Sequence, residues 1–178
     1  MAKCRVAHLS SHHQPVDNRI FQRECRTLAD AGYTVHFVVR NGGDEVRNGV
    51  HIVAVPAPRN RLERVTITAF KVFLRALRTR ADIYHLHDPE LIPWGFLLRL
   101  MGKTVVFDVH EDFAQAAGVR SWIPRPLRGL VARAWQGLAW MASKLFHIVI
   151  AERYYARSFP RPEWRRRFDE ALSGAKNL

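Results

Sequence analysis

The sequence predicts an α/β domain: an open, mainly parallel sheet of six strands with helices on both faces. Three observations lead there. Short apolar and β-branched runs alternate with stretches of helical periodicity along the 178 residues, and strands separated by helices form parallel sheets with right-handed crossovers. The composition, 48% hydrophobic and 25% charged, is that of a soluble globular chain rather than a disordered, collagenous or low-complexity one. Finally, no internal repeat or linker divides the sequence. Residues 1–160 therefore read as one domain, followed by a basic C-terminal helix and tail over 161–178.

The elements follow in order. Cys4–Ser10 is an apolar run ending in small polar residues, which suits a buried first strand. Asp17 can cap a helix that runs to about Ala31 and stops at Gly32. Tyr33–Val39 is β-branched and aromatic, hence a second strand. The turn Asn41-Gly42-Gly43 leads to a third strand, Val50–Val55, closed by Pro56 and Pro58. Leu62–Arg80 is amphipathic: Leu62, Val65, Ala69, Val72, Phe73, Ala76 and Leu77 recur at helical spacing as a core face. Arg64, Lys71, Arg75 and Arg78 fall opposite, as a solvated basic stripe.

Asp82–His87 reads as a fourth strand, after which Asp88 at the cap and Pro89 at the first position start a helix ended by Gly102. Thr104–Val109 is a fifth strand, followed by a loop over His110–Arg125. Leu127–Leu145 is a second long amphipathic helix with Leu127, Leu130, Val131, Ala134, Leu138, Met141 and Leu145 on its core face. Phe146–Ala151 is the sixth strand. The whole is Rossmann-like, with expected strand order 3-2-1-4-5-6.

The net charge of +12 is concentrated: residues 120–167 carry 11 basic and 2 acidic side chains, net +9. Such a patch favours anionic lipid, nucleic acid or phosphorylated ligands. No signal peptide opens the sequence and no apolar run spans a membrane, so the expected location is cytoplasmic, with Cys4 and Cys25 as core thiols.

In an open parallel sheet, ligands bind beyond the carboxyl ends of the strands, where strand order reverses. That point lies between strands one and four. The residues there are Ser10, Ser11, His12 and His13, then His85, His87, Asp88 and Glu90, and, after strand five, Asp108, His110, Glu111 and Asp112. There is no glycine fingerprint for a dinucleotide and no P-loop. The free N–H groups at the start of the Asp17 helix could hold a phosphate, aided by Arg19. The plainer alternative is that Asp17 only caps and Arg19 is a surface charge.

His85 and His87 share one strand face, but Pro89 and Glu90 stand where a hydrolase H-x-H-x-D-H pattern needs Asp and His. With no C-x-x-C or H-E-x-x-H either, neither a metal nor another cofactor is expected. Asp108 and His110 share a strand face, so the carboxylate could orient a basic imidazole. A nucleophile elbow is absent.

Three stretches carry a family resemblance: DNRIFQRECRTLADAGYTVHFVV, DIYHLHDPELIPWGFLLRLMGKTVVFDVHED and HIVIAERYYARSFP. Together they resemble the N-terminal domain of glycosyltransferase family 4, over residues 4–160. The resemblance implies one lobe of a two-lobed GT-B enzyme that transfers a sugar with retention from a nucleotide-sugar to a glycan or lipid-linked acceptor, without a metal. It implies an acceptor-side role in surface polysaccharide or glycolipid synthesis, with a C-terminal donor lobe as partner and little activity in the lone chain. His110 matches the family histidine that faces the transferred sugar. The stretch from Ser10 to Arg19, including Ser11, His12, Asp17, Asn18 and Arg19, matches the loop near the diphosphate. His87, Asp88 and Glu90 match the segment beside the acceptor cleft, and Asp108, Glu111 and Asp112 flank His110.

On the Leu127–Leu145 helix, Arg133, Trp140 and Lys144 fall opposite the apolar face, with Trp122 in the preceding loop. An outward Trp between cations suits an anionic membrane surface or a partner. A stand-alone, non-catalytic domain binding a membrane or protein through residues 120–167 is the alternative function. Nucleic acid is not expected, because no RNA-binding sheet motif, helix-turn-helix or zinc module is present.

Overall fold

The computed structural model describes residues 3–109 and 124–150. The chain divides into two compact units, Met1–Asp108 with Leu145–His147, and Val109–Lys144 with Ile148–Leu178. Among the described residues seven strands form one sheet: β1 (Arg5–Leu9), β2 (Thr34–Arg40), β3 (Glu45–Arg47), β4 (Val50–Val55), β5 (Ile83–Leu86), β6 (Thr104–Val109) and β7 (His147–Ile150). Their order is β3-β4-β2-β1-β5-β6-β7. The order expected for six strands is recovered, with one strand added at the edge.

The added strand corrects the expected count. β3 pairs antiparallel with β4, and Arg47 faces Val50 across the intervening Asn48-Gly49. Both turn residues have positive φ, 50° and 76°, the backbone that a two-residue hairpin turn requires and that Asn-Gly favours. All the other pairings with a known register are parallel: β1 with β2 and β5, β2 with β4, and β5 with β6.

Four helices are present among the described residues. α1 is a wide π-helical segment, Ile20–Cys25, that continues as α-helix over Arg26–Asp30. α2 runs as Arg61–Glu63, a π-helical segment Arg64–Thr68, and an α-helix Ala69–Arg78. α3 begins as a 3₁₀ turn, Pro89–Leu91, and continues over Ile92–Leu100. α4 begins at Arg125–Leu127 and continues over Arg128–Leu145. No helix among the described residues is long and apolar enough to cross a membrane.

The core explains why these segments fold as they do. Ile20, Phe21 and Cys25 of α1 are buried against Val35, Phe37 and Val39 of β2 and Val50 and Ile52 of β4. Residues 37–39 of β2 are consecutively buried, as expected for a parallel strand covered on both faces. α2 buries Ala69, Val72, Phe73 and Ala76, and its Phe70 and Phe73 rings lie 5.1 Å from Trp94 of α3. Gly95 allows α3 its close approach: a Cβ there would sit 2.7 Å from Leu86 Cδ1 and 2.8 Å from Phe146 Cζ.

Three sequence expectations are corrected. Leu62 and Val65 do not join the core and are 73% and 42% exposed. The π-helical segment that follows has i→i+5 bonding, which puts the start of α2 out of phase with a 3.6-residue stripe. On α4, Leu127, Leu130, Ala134, Met141 and Leu145 are likewise exposed, while Ala142 and Ser143 are the buried residues. Asp88 does not cap α3 with its side chain, because its carboxylate is committed elsewhere.

Candidate functional site

The carboxyl ends of β1 and β5 lie side by side at the centre of the sheet, with Leu9 in register with Leu86. The chain leaves β1 through Ser10–His13, and this loop is fastened to the residues that follow β5. Asp88 Oδ2 accepts hydrogen bonds from Ser10 Oγ and Ser11 N, both at 2.7 Å, and from His12 N at 3.3 Å. Ser10 Oγ in turn accepts from His13 N at 3.0 Å. Glu90 Oε1 accepts from Ser11 Oγ at 2.6 Å and pairs with Arg64 Nε at 2.9 Å. Arg64 thus leaves the solvated stripe expected for it: its side chain is 20% exposed and reaches across to α3.

Asp88 is 5% exposed. Burial alone would raise its carboxyl, but the bond and charge of His13, with the Ser10 and Ser11 donors, hold it well below the usual carboxylate range. The partner shifts oppositely. Burial pulls His13 down, yet Asp88, with Oδ1 3.6 Å from Nδ1, outweighs it, and the net shift is upward. His12 is exposed and moves down, through burial and the neighbouring Arg64.

A second cluster lies on the face covered by α1. His8 is in register with both Phe37 and His85, and Phe37 packs against α1. His87, two residues along from His85, shares that face. Glu24 of α1 completes the group: its Oε2 is 3.7 Å from His8 Nδ1, 3.8 Å from His85 Nδ1 and 3.7 Å from His87 Nε2. His8 Nδ1 and His87 Nε2 are 2.9 Å apart, and His87 Nδ1 is 3.2 Å from Asp108 Oδ2. Arg19 closes the chain with a two-pronged ion pair to Asp108, Nη1 at 3.3 Å from Oδ1 and Nη2 on Oδ2.

Burial pushes His8 and His87 well below their ordinary range and His85 to about 4. Burial, then the Asp108 charge, raise Glu24 to about 7. The cluster is therefore three neutral imidazoles facing one carboxyl. Among the described residues, His8, Glu24, His85 and His87 form the one group able to offer a metal four ligand atoms, all within 4.8 Å of one another.

Of the residues singled out in the sequence, the structure places Ser11, His12, Asp17, Arg19, His87, Asp88, Glu90 and Asp108 near one another at these strand ends. Asp17 Oδ1 accepts from Arg19 N and Ile20 N, both at 2.9 Å, so those N–H groups are taken, and the Arg19 guanidinium is held by Asp108. Asn18 is exposed. His110, Glu111, Asp112, Trp122 and the 161–178 tail lie outside the described residues. On α4, Arg133 and Trp140 are exposed, and Lys144 Nζ sits 3.8 Å above the Trp140 ring.

Sequence reasoning missed His8 and Glu24. A signal for His8 was present: β1 and β5 carry the matching strings His8-Leu9-Ser10 and His85-Leu86-His87, and a strand order that makes them neighbours aligns the two. Glu24 had no such signal, because the phase of a π-helical segment cannot be read from a 3.6-residue period.

Comparison with known proteins adds three findings. The sequence profile of Glycosyltransferase Family 4 matches residues 18–167. No curated protein sequence matches the chain. Among solved structures, the sucrose-phosphate synthase of Thermosynechococcus elongatus is similar at a TM-score of 0.55 and 15% identity, over 83% of this chain and 47% of that one. At that identity the likeness is one of fold, and the chain spans about half the length of this relative.

Proposed function

The chain belongs to glycosyltransferase family 4, and on that premise we propose that it forms the acceptor-side lobe of a nucleotide-sugar-dependent, retaining glycosyltransferase. Residues 1–160 make the lobe, and a donor-side lobe completes the cleft. The acceptor is a glycan or lipid-linked glycan of surface polysaccharide or glycolipid synthesis. One observation carries the reading: the loop after β1 is stitched at the switch point of the sheet to Asp88 and Glu90, where an open α/β sheet binds its ligand.

In this reading His110 contacts the transferred sugar, and the Ser11–Asn18 segment approaches the diphosphate. Asp88 and Glu90 act as positioning residues: their carboxylates face the loop and hold it in shape. Glu111 and Asp112 border the acceptor. A lone lobe cannot exclude water from the reacting sugar, so the test is turnover of nucleotide-sugars. The 178-residue chain alone is expected to transfer nothing, and the chain joined to a donor lobe to transfer. In the joined enzyme His110→Ala lowers kcat on the order of 100-fold. Transfer by the chain alone, or unchanged turnover in His110→Ala, overturns the reading.

Exposure on α4 supports a membrane-peripheral site of action. Trp140 is 47% exposed, Leu127 and Leu130 are 47% and 66% exposed, and Arg133 and Lys144 of the same helix are exposed. The chain is expected to sediment with vesicles containing anionic lipid and to be released by salt; equal sedimentation with neutral vesicles refutes the contact.

A further inference from the structure

We propose that His8, Glu24, His85 and His87 bind one divalent transition-metal ion of the Zn²⁺ class, which clamps α1 to β1 and β5. The inference goes beyond the transferase reading and rests on the geometry of the cluster alone.

Zn²⁺ holds imidazole nitrogen and carboxylate oxygen at about 2.0–2.2 Å, which puts tetrahedral ligand atoms roughly 3.3 Å apart. Four separations in the cluster bracket that value: 2.9 Å for His8 Nδ1 to His87 Nε2, and 3.7, 3.8 and 3.7 Å from Glu24 Oε2 to His8, His85 and His87. All four ligand atoms lie within 4.8 Å of one another, so coordination draws the widest pair together by up to about 1.5 Å.

The hydrogen bonding of the cluster is otherwise incomplete. Glu24 Oε2, His8 Nε2 and His85 Nε2 are buried without a hydrogen-bond partner. The Glu24 oxygen faces three imidazole nitrogens and bonds to none of them. Buried polar atoms are rarely left so, and a cation among the four ligand atoms satisfies the carboxylate directly. The outer arrangement fits as well. Asp108 lies at His87 Nδ1 and leaves Nε2 directed at the cluster, the carboxylate–histidine relay that sets the tautomer of metal-bound imidazoles. Arg19 fixes that carboxylate in turn.

The donor set selects the ion. Three imidazoles and a carboxylate, with no thiolate, suit Zn²⁺, Co²⁺ or Ni²⁺ better than Ca²⁺ or Mg²⁺. Four protein ligands leave no open position, so the ion serves structure rather than hydrolysis. Glu24 also lies in a π-helical segment, a geometry frequent at functional sites.

The test is a Co²⁺ titration of the metal-stripped 178-residue chain. The expected result is one equivalent bound with tetrahedral visible absorption, displaced by Zn²⁺. Glu24→Gln and His85→Gln suit the variants because their side chains reach the surface, at 27% and 14% exposure. Each is expected to weaken binding by on the order of 100-fold, whereas His51→Gln, on another strand, leaves it unchanged. Should the variants fail to fold, X-ray absorption of the Zn²⁺-loaded wild type decides, with imidazole scattering at about 2.0–2.1 Å expected. A six-coordinate spectrum, no tetrahedral band, or unaltered affinity in the Glu24→Gln/His85→Gln double variant overturns the proposal.

Discussion

Replacing Asp88 by Asn tests how the loop after β1 is held. The amide keeps the shape and one acceptor oxygen but removes the charge. Two strong bonds are affected, from Ser10 Oγ and Ser11 N at 2.7 Å. A hydrogen bond to a charged group contributes about 1.5–3 kcal/mol and a neutral one about 0.5–1.5, so each loses about 1 kcal/mol and the pair about 2. For a chain of this size that lowers Tm by roughly 4–8 °C. Asp88→Ala costs more, about 3–5 kcal/mol, because a buried charge network loses its centre. The pH dependence has two limbs. Asp88 is depressed in the fold, so its contribution is present above its unfolded value of about 3.9 and is lost as pH falls toward the folded one. His13 is raised, so its contribution is full below about 6.5 and is lost as pH rises through its folded value. The difference between wild type and Asp88→Asn is therefore largest between about pH 4 and 6.5. Urea unfolding across pH, with amide exchange at Ser11 and His12, measures it. Equal stability at pH 6, or exchange at Ser11 as slow as in wild type, would refute the reasoning.

Gly95→Ala places a methyl 2.7 Å from Leu86 and 2.8 Å from Phe146. Overpacking costs about 1–3 kcal/mol and helix propensity returns about 1, so thermal unfolding should show a net loss of up to about 2 kcal/mol; a gain would mean that α3 is not pressed on β5. The two thiols should differ. Burial, then the charges of Glu24 and Asp17, push Cys25 far above the ordinary thiol range, while Cys4 is partly exposed. Ellman's reagent should count one thiol in the native chain and two in denaturant, and two fast thiols in the native state would contradict the packing of α1.

The sheet order was legible because apolar runs and helical stretches alternate and topology rules leave few arrangements for them. β3 escaped notice because Glu45–Arg47 has no apolar run, although Asn48-Gly49 carried its turn chemistry. The site was legible by position: the ends of β1 and β5 had to meet, so Ser11, His87, Asp88 and Glu90 could be singled out. Their partners could not, since partnership depends on helix phase. Arg64 reads as a surface charge on a regular helix, yet as the first residue of a π-helical segment it reaches Glu90. Glu24 reads as one polar residue of α1, yet it turns toward three histidines for the same reason. The two misses share a cause: each lies within a segment whose i→i+5 hydrogen bonding rotates its side chains away from the expected face. The polar groups at the strand ends thus bond largely to one another. Asp88, Glu90, Asp108 and Arg19 shape the loop and the α1 face through each other.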